Sequence, residues 1–119
     1  MDLGAVYTVF KVSTKGGSRP YLDHFITSYL LRYSLDDVTW TFFPYSAHKF
    51  DFPGNSDRFI AVEHDLFPPV EGRHFAIEVV AFNLVWAALR WELYGYKNES
   101  GMKIRIIIVA KNCNVSGYC

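Results

Sequence analysis

The longest apolar stretch of the chain constrains its fold more than any other feature. Residues 79–89 are apolar at every position except Asn83, and Glu78 and Arg90 border them. A membrane-spanning helix needs about 20 apolar residues, so this stretch is too short to cross a bilayer. An element of this composition is buried in a core or in an interface. We therefore predict that it forms the middle of a central helix over residues 73–94.

A first helix is predicted over residues 20–34. Ser18 is a capping residue, and Pro20 suits the first helical turn. The apolar side chains that follow recur at the three- and four-residue spacing of one helix face. These side chains are Leu22, Phe25, Ile26, Tyr29, Leu30 and Tyr33.

Four other segments have the β-branched and aromatic composition of strands. They are residues 5–14, 38–45, 58–64 and 102–110, and Pro68-Pro69 is predicted to break the chain after the third. The resulting order of strands and helices is that of the ferredoxin-like β-α-β-β-α-β arrangement. We predict an α+β fold with a four-stranded antiparallel or mixed sheet and two helices on one face. Residues 1–119 are expected to form a single domain with an irregular tail over residues 111–119.

Charge and the N-terminal sequence limit the possible partners. The chain has 12 basic and 12 acidic residues, whereas a protein that holds phosphates needs a basic surplus or patch. Nucleic acid is therefore an unfavoured partner. Residues 1–4 lack the positive region and long apolar core of a signal peptide, so we expect a cytoplasmic protein that contacts no membrane. In that compartment Cys113 and Cys119 are expected to be free thiols.

The predicted sheet has more apolar positions than one core requires. Its first, second and last strands carry apolar residues on both faces, while a ferredoxin-like sheet leaves one face open. We predict that a second copy of the chain covers the open face in a homodimer. The aromatic content of 18% also favours a contact surface, because tyrosine and tryptophan are common in interfaces.

A long loop after the second predicted strand is a candidate surface for contact with another protein. Loops of about twelve residues are uncommon in small domains and are often functional. Exposed aromatic side chains on such a loop indicate a contact site. An alternative with equal weight is that the loop folds over one end of the sheet and covers the core. The candidate partner-binding residues are Trp40, Tyr45, His48, Phe50 and Phe52.

A second group of residues could bind a metal or perform acid–base chemistry. Imidazole and carboxylate groups are metal ligands and proton carriers, and residues four apart share a helix face. The candidates are Glu63, His64, Asp65, His74 and Glu78. The alternative is a solvated helix N-terminus whose acidic residues favour the positive end of the dipole. No H-E-x-x-H or cysteine-rich metal motif is present, and we expect no cofactor.

The leading functional prediction is a non-enzymatic protein-interaction module that self-associates. Small accessory and inhibitor proteins of viruses, phages and mobile elements often consist of one such plain domain. The first alternative is a small metal-dependent or acid–base enzyme that uses Glu63, His64, His74 and Glu78. The second is a nucleic-acid-binding domain whose sheet aromatics stack on bases.

Overall fold

The computed structural model describes residues 2–16, 25–43, 51–57, 59–83, 89–99 and 102–110. Every regular element among these residues is a β-strand. The strands are β1 (Asp2–Gly16), β2 (Ile26–Ser34), β3 (Thr41–Phe43), β4 (Phe52–Pro53), β5 (Val62–Phe82), β6 (Leu89–Glu99) and β7 (Met102–Ala110). They pair antiparallel in the order β3-β2-β5-β1-β6-β7, and β4 also pairs with β2.

Strand β5 is 21 residues long and turns a corner at His74. His74 is paired with Asp2 of β1 and with Ser34 of β2, so β5 passes there from one partner strand to the other. Before the corner its buried residues include Leu66 and Val70, at even positions, whereas afterwards Phe75 and Ile77 are buried. The pairing of β5 with β2 is regular from His74 to Val79, whereas its pairing with β1 shifts register between Tyr7 and Asp2, which lie opposite Gly72 and His74. Such an irregularity allows the paired strands to bend.

The bend in β5 folds the paired strands into two facing layers. Tyr29 of β2 lies opposite Val79, near the end of β5, yet its ring centroid is 6.4 Å from that of His64 near the start of β5. A straight strand from His64 to Val79 would span about 50 Å. The first half of β5, with β1 and β6, therefore packs across a shared interior from the second half of β5, with β2 and β3. The molecule is a β-sandwich.

The interior of the sandwich is one apolar cluster, and both layers contribute side chains to it. Trp91, Tyr29 and Phe75 are its largest fully buried side chains. Burial raises the pKa of the Tyr29 hydroxyl, because the phenolate would lose its hydration; the nearby Thr14 hydroxyl opposes this shift. The other members are Tyr7, Val9, Val12, Ile26, Leu31, Phe43, Leu66, Val70, Ile77 and Leu93.

The predicted α+β ferredoxin-like fold is wrong, and its second helix shows why. Residues 73–82 form the second half of β5, and residues 89–94 belong to β6. An apolar run is typical of a buried helix but equally of a strand covered on both faces. Here neighbouring Ala76 and Ile77, which point to opposite faces of the strand, are both buried. Periodicity could not separate these two possibilities.

The first predicted helix is also wrong over the part that the structure describes. Residues 26–34 form β2, in which Tyr29, Leu30 and Leu31 are consecutive and all buried. The three- and four-residue spacing arose because both faces of this strand carry apolar residues. Its threonine, isoleucine and tyrosines favour extended backbone.

Two predicted strands are confirmed, and two are misplaced. Residues 5–14 lie in β1, and β7 has the bounds predicted for the last strand. Residues 38–40 of the second predicted strand lie before β3, residues 44 and 45 lie outside the described residues, and β5 starts at Val62 rather than at residue 58. Pro68-Pro69 does not break the chain but lies within β5, at a register shift where four residues of β5 face one residue of β1; proline is tolerated at such an irregularity.

Candidate functional site

One end of the sandwich brings several strand ends together. β2 begins there with Ile26 opposite Phe82 at the end of β5, and Gly16 at the end of β1 lies opposite Leu89 at the start of β6. The segment between β4 and β5 lies at this position, and we call its described residues, 54–57 and 59–61, the end loop. Loops at the end of a rigid sandwich are a common place for binding sites.

Asn55 fixes the end loop to the two layers. Its side chain is buried, and its Nδ2 donates to the carbonyl oxygens of Thr14 and Ile60, each at 2.9 Å. Its backbone N–H donates to the carbonyl of Ile26 at 2.8 Å. One residue thus joins the end of β1, the start of β2 and the far side of the loop. The loop is held in one conformation because these bonds are shielded from water.

Asp57 orders the outer part of the end loop. Its Oδ1 accepts hydrogen bonds from the backbone N–H groups of Phe59 and Ile60, both at 2.9 Å. These two bonds, that from Ile60 first, lower the pKa of the Asp57 carboxyl because they stabilise its charged form. The side chains of Phe59 and Ile60 are then presented to solvent, 63% and 67% exposed. The loop is an ordered support for two adjacent apolar side chains.

Titration of Asp57 offers a test of this arrangement. We expect the backbone amide resonances of Phe59 and Ile60 to titrate with a midpoint below 3.8, the ordinary value for aspartate. Because the folded pKa is the lower one, the loop contacts are complete above the ordinary pKa and are lost as pH falls through the folded pKa. NMR chemical shifts recorded between about pH 6 and about pH 2 give the midpoint. In Asp57→Asn this titration should vanish, and its persistence would assign the effect to another group.

The residues of the predicted aromatic loop do not form one surface among the described residues. Trp40 lies beside β2, where the Arg32 guanidinium is 4.6 Å above its ring and His74 meets it edge-on. Phe52 packs on the core, with ring centroids 5.3 Å from Tyr29 and 6.1 Å from Phe43. The predicted positions Tyr45, His48 and Phe50 lie outside the described residues.

The candidate metal and acid–base residues are separated along β5. His64 packs against Phe52, and its Nε2 is 2.6 Å from the Pro53 carbonyl oxygen. His74, at the corner, has Nδ1 3.9 Å from the Asp2 carboxylate. Four positions along a strand span about 13 Å, rather than the one helical turn that predicted a shared site for His74 and Glu78.

The remaining acidic candidates, Glu63 and Asp65, lie on the exposed side of β5, away from both imidazoles. Within the described ranges no three histidine, cysteine, aspartate or glutamate side chains are grouped so that they could hold a metal ion. The predicted acid–base and metal cluster is therefore not assembled there.

Sequence reasoning missed the end loop because it assigned Phe59 and Ile60 to a strand. The signal that could have revealed it is the row Asn55-Ser56-Asp57 directly before them. Asparagine and aspartate favour turns because their side chains bond to backbone groups a few residues away.

Among the described residues, no helix is long and apolar enough to cross a membrane.

Comparison with known proteins gives matches over most of the chain. Residues 1–93 match the F5/8 type C domain family. Discoidin-2 of Dictyostelium discoideum is 39% identical over 89 residues, which cover 75% of this chain and 32% of the relative. A discoidin-1 of the same organism is 38% identical over 80 residues, covering 67% and 30%. The chain thus spans about a third of the length of these relatives.

Solved structures agree with these relationships. The structure of wild-type discoidin II from Dictyostelium discoideum has a TM-score of 0.67 and 35% identity, covering 81% of this chain and 37% of that chain. The native structure of recombinant discoidin II has a TM-score of 0.71 and 33% identity, covering 83% and 37%. The extent of the family match, together with the two-layered β architecture, shows that the chain belongs to the F5/8 type C (discoidin) domain family and has its jelly-roll sandwich fold.

Proposed function

We propose that this chain is a non-enzymatic binding module that contacts another protein through its end loop. Domains of the F5/8 type C family typically bind carbohydrates, proteins or lipids. The observation that supports a protein partner is the adjacent pair Phe59 and Ile60, exposed on a loop that is fixed by buried and local hydrogen bonds. An ordered apolar patch loses little conformational entropy on binding and gains from leaving water.

The chemistry of the end loop favours a protein over a sugar. A sugar site needs polar groups that converge on the ligand as well as a ring face. In this loop both Asn55 Nδ2 and Asp57 Oδ1 bond to the chain's own backbone. What the loop offers to a ligand is therefore mainly the apolar surface of Phe59 and Ile60.

The charges near the end loop favour a protein over a lipid bilayer. An anionic membrane surface attracts clusters of lysine and arginine. Among the described residues near this end, basic Lys15 and Arg90 are accompanied by acidic Asp51 and Asp57, and the sequence places Arg58 between Asp57 and Phe59. An apolar patch among charges of both signs is the composition of a protein interface.

The experiment compares the double variant Phe59→Ser/Ile60→Ser with wild-type protein. Both are immobilised, proteins retained from a cell extract are identified, and the affinity of each purified candidate is then measured. The matched control is Leu35→Ser/Val38→Ser, since these side chains are 57% and 81% exposed on the loop that precedes β3. We expect the first variant to weaken binding about thirtyfold, as for loss of one strong interface contact, and the control to bind normally.

Two results would contradict the proposal. One is a partner that binds the Phe59→Ser/Ile60→Ser variant as tightly as wild type. The other is binding to a glycan array or to phosphatidylserine vesicles, lost in the same variant, with no protein retained. Self-association and an accessory or inhibitor role, both expected from the sequence, stay predictions; light scattering measures the former directly.

A further inference from the structure

Three buried side-chain oxygens on the inner side of the end loop have no hydrogen-bond partner within the described ranges. They are Thr14 Oγ1 of β1, Tyr29 Oη of β2 and Asn55 Oδ1 of the end loop. The three residues are 1%, 0% and 3% exposed, so bulk water does not reach these atoms. Buried polar groups of native proteins are almost always hydrogen-bonded, either to the chain or to an ordered water. Three exceptions at one end of the sandwich therefore indicate a bound ligand.

The three oxygens come from both layers and from the loop that closes this end of the interior. Thr14 lies two positions after the core residue Val12 on β1, so its side chain also points into the sandwich. Tyr29 approaches from the opposite layer, and its ring centroid is 6.4 Å from that of His64, which is paired with Val12. Asn55 Nδ2 is 2.9 Å from the Thr14 carbonyl oxygen, so the Oδ1 of the same amide lies within about 5 Å of that oxygen.

The chemistry of this group of oxygens favours a small neutral ligand. Burial raises the pKa of the Tyr29 hydroxyl, and the nearby Thr14 hydroxyl opposes this rise, yet the two hydroxyls form no direct hydrogen bond. The phenol is therefore neutral. Two hydroxyls and one amide oxygen offer two donors and several lone pairs without a net charge. A neutral molecule that both donates and accepts hydrogen bonds suits this group better than an ion does.

We propose that one internal water molecule bridges Thr14, Tyr29 and Asn55. A buried water typically makes about three hydrogen bonds to polar groups that otherwise have no partner. Here the water donates to Asn55 Oδ1 and forms one hydrogen bond with each hydroxyl, which can donate or accept. It ties the end loop to both layers from the inside, in addition to the two bonds that Asn55 Nδ2 donates. The water lies on the inner side of the loop, so this proposal does not depend on what Phe59 and Ile60 bind.

The test counts internal water molecules by oxygen-17 relaxation dispersion of the solvent. This measurement detects waters held inside a protein and does not respond to the exchange of hydroxyl protons. Wild type is compared with Thr14→Val/Tyr29→Phe, which removes both hydroxyls and nearly preserves the shapes of the side chains. The matched control is Thr8→Val/Tyr94→Phe, which also removes one hydroxyl of each kind. In the control both hydroxyls donate to a side-chain oxygen of the chain at 2.7 Å, so neither needs a water.

We expect Thr14→Val/Tyr29→Phe to lower the dispersion amplitude by the equivalent of one water molecule, and the control to leave it unchanged. Chemical denaturation gives a second readout. Thr14→Val and Tyr29→Phe should each lower the folding equilibrium constant about fivefold, as for loss of one hydrogen bond. Because both hydroxyls bind the same water, the loss in the double variant should be much smaller than the product of the two single losses.

An unchanged dispersion amplitude in Thr14→Val/Tyr29→Phe overturns the proposal. A Tyr29→Phe variant that is as stable as wild type, or more stable, also overturns it, because removing a buried hydroxyl that has no partner relieves the cost of its burial. Single losses that multiply independently in the double variant would show that the two hydroxyls have separate partners, which contradicts a shared water.

Discussion

Replacing Trp91 by alanine is expected to lower the free energy of unfolding by about 3–5 kcal/mol. Trp91 is 1% exposed, is the largest fully buried side chain described, and lies on β6 opposite Thr14 of β1. Its removal forfeits the burial of a large apolar surface and leaves a cavity that the strands of a closed sandwich cannot easily fill. Because a domain of this size is stable by only about 5–15 kcal/mol, much of its stability would be lost.

Chemical denaturation of wild type and Trp91→Ala measures this loss directly. The matched control is Tyr96→Ala on the same strand, whose half-exposed ring lies on the outer face beside Phe10. We expect the control to cost about 1 kcal/mol. Equal losses in the two variants would mean that Trp91 does not lie in the core, and that the two faces of β6 have been assigned incorrectly.

Trp91 also illustrates which part of the fold the sequence could predict. The segment Trp91-Glu92-Leu93 alternates buried and half-buried residues, which is a strand pattern. It was assigned to a helix because it follows residues 79–89, where an apolar residue at nearly every position hides any alternation. By contrast, β1 was predicted correctly because its composition is β-branched and glycine follows it. Strands buried on both faces are the ones that local pattern cannot identify.

The corner in β5 could not be predicted from local sequence at all. Pro68-Pro69 suggested a break, yet the bend occurs at His74, where β5 exchanges β1 for β2 as its partner. That exchange depends on which distant strands are available, and no residue near His74 signals it. The candidate acid–base cluster failed for the same reason, because a helix would have placed His74 and Glu78 one turn apart.

For the contact surfaces too, amino-acid composition and spatial arrangement differ in how far the sequence predicts them. The aromatic content drew attention to a contact surface, but which rings are exposed depends on the packing of the strands. Phe52 is covered by its contacts with Tyr29 and His64, whereas Phe67, which the sequence placed beside a chain break, is the most exposed large apolar side chain described. Composition can indicate that a surface binds a partner, but it cannot locate that surface.

The second large expected effect on stability is that of replacing Asn55 in the end loop. Asn55→Asp keeps the shape of the side chain but replaces the Nδ2 donor with an acceptor facing the carbonyl oxygens of Thr14 and Ile60. Both hydrogen bonds become repulsive contacts, and a carboxylate is placed where only 3% of the residue is exposed. Loss of the two bonds with their carbonyls left unpaired is expected to cost about 2–5 kcal/mol.

The same variant links stability to binding, because Asn55 joins the loop to β1 and β2. We expect Asn55→Asp to weaken partner binding at least as much as Phe59→Ser/Ile60→Ser, since it frees the backbone that presents both apolar side chains. Ser56→Ala, at the exposed neighbouring position, is the control and should change neither quantity. Denaturation and the binding assay together separate the possible outcomes. A variant that is destabilised but binds normally would show that the loop's contacts with β1 and β2 are structural only, and that the partner-binding surface lies elsewhere.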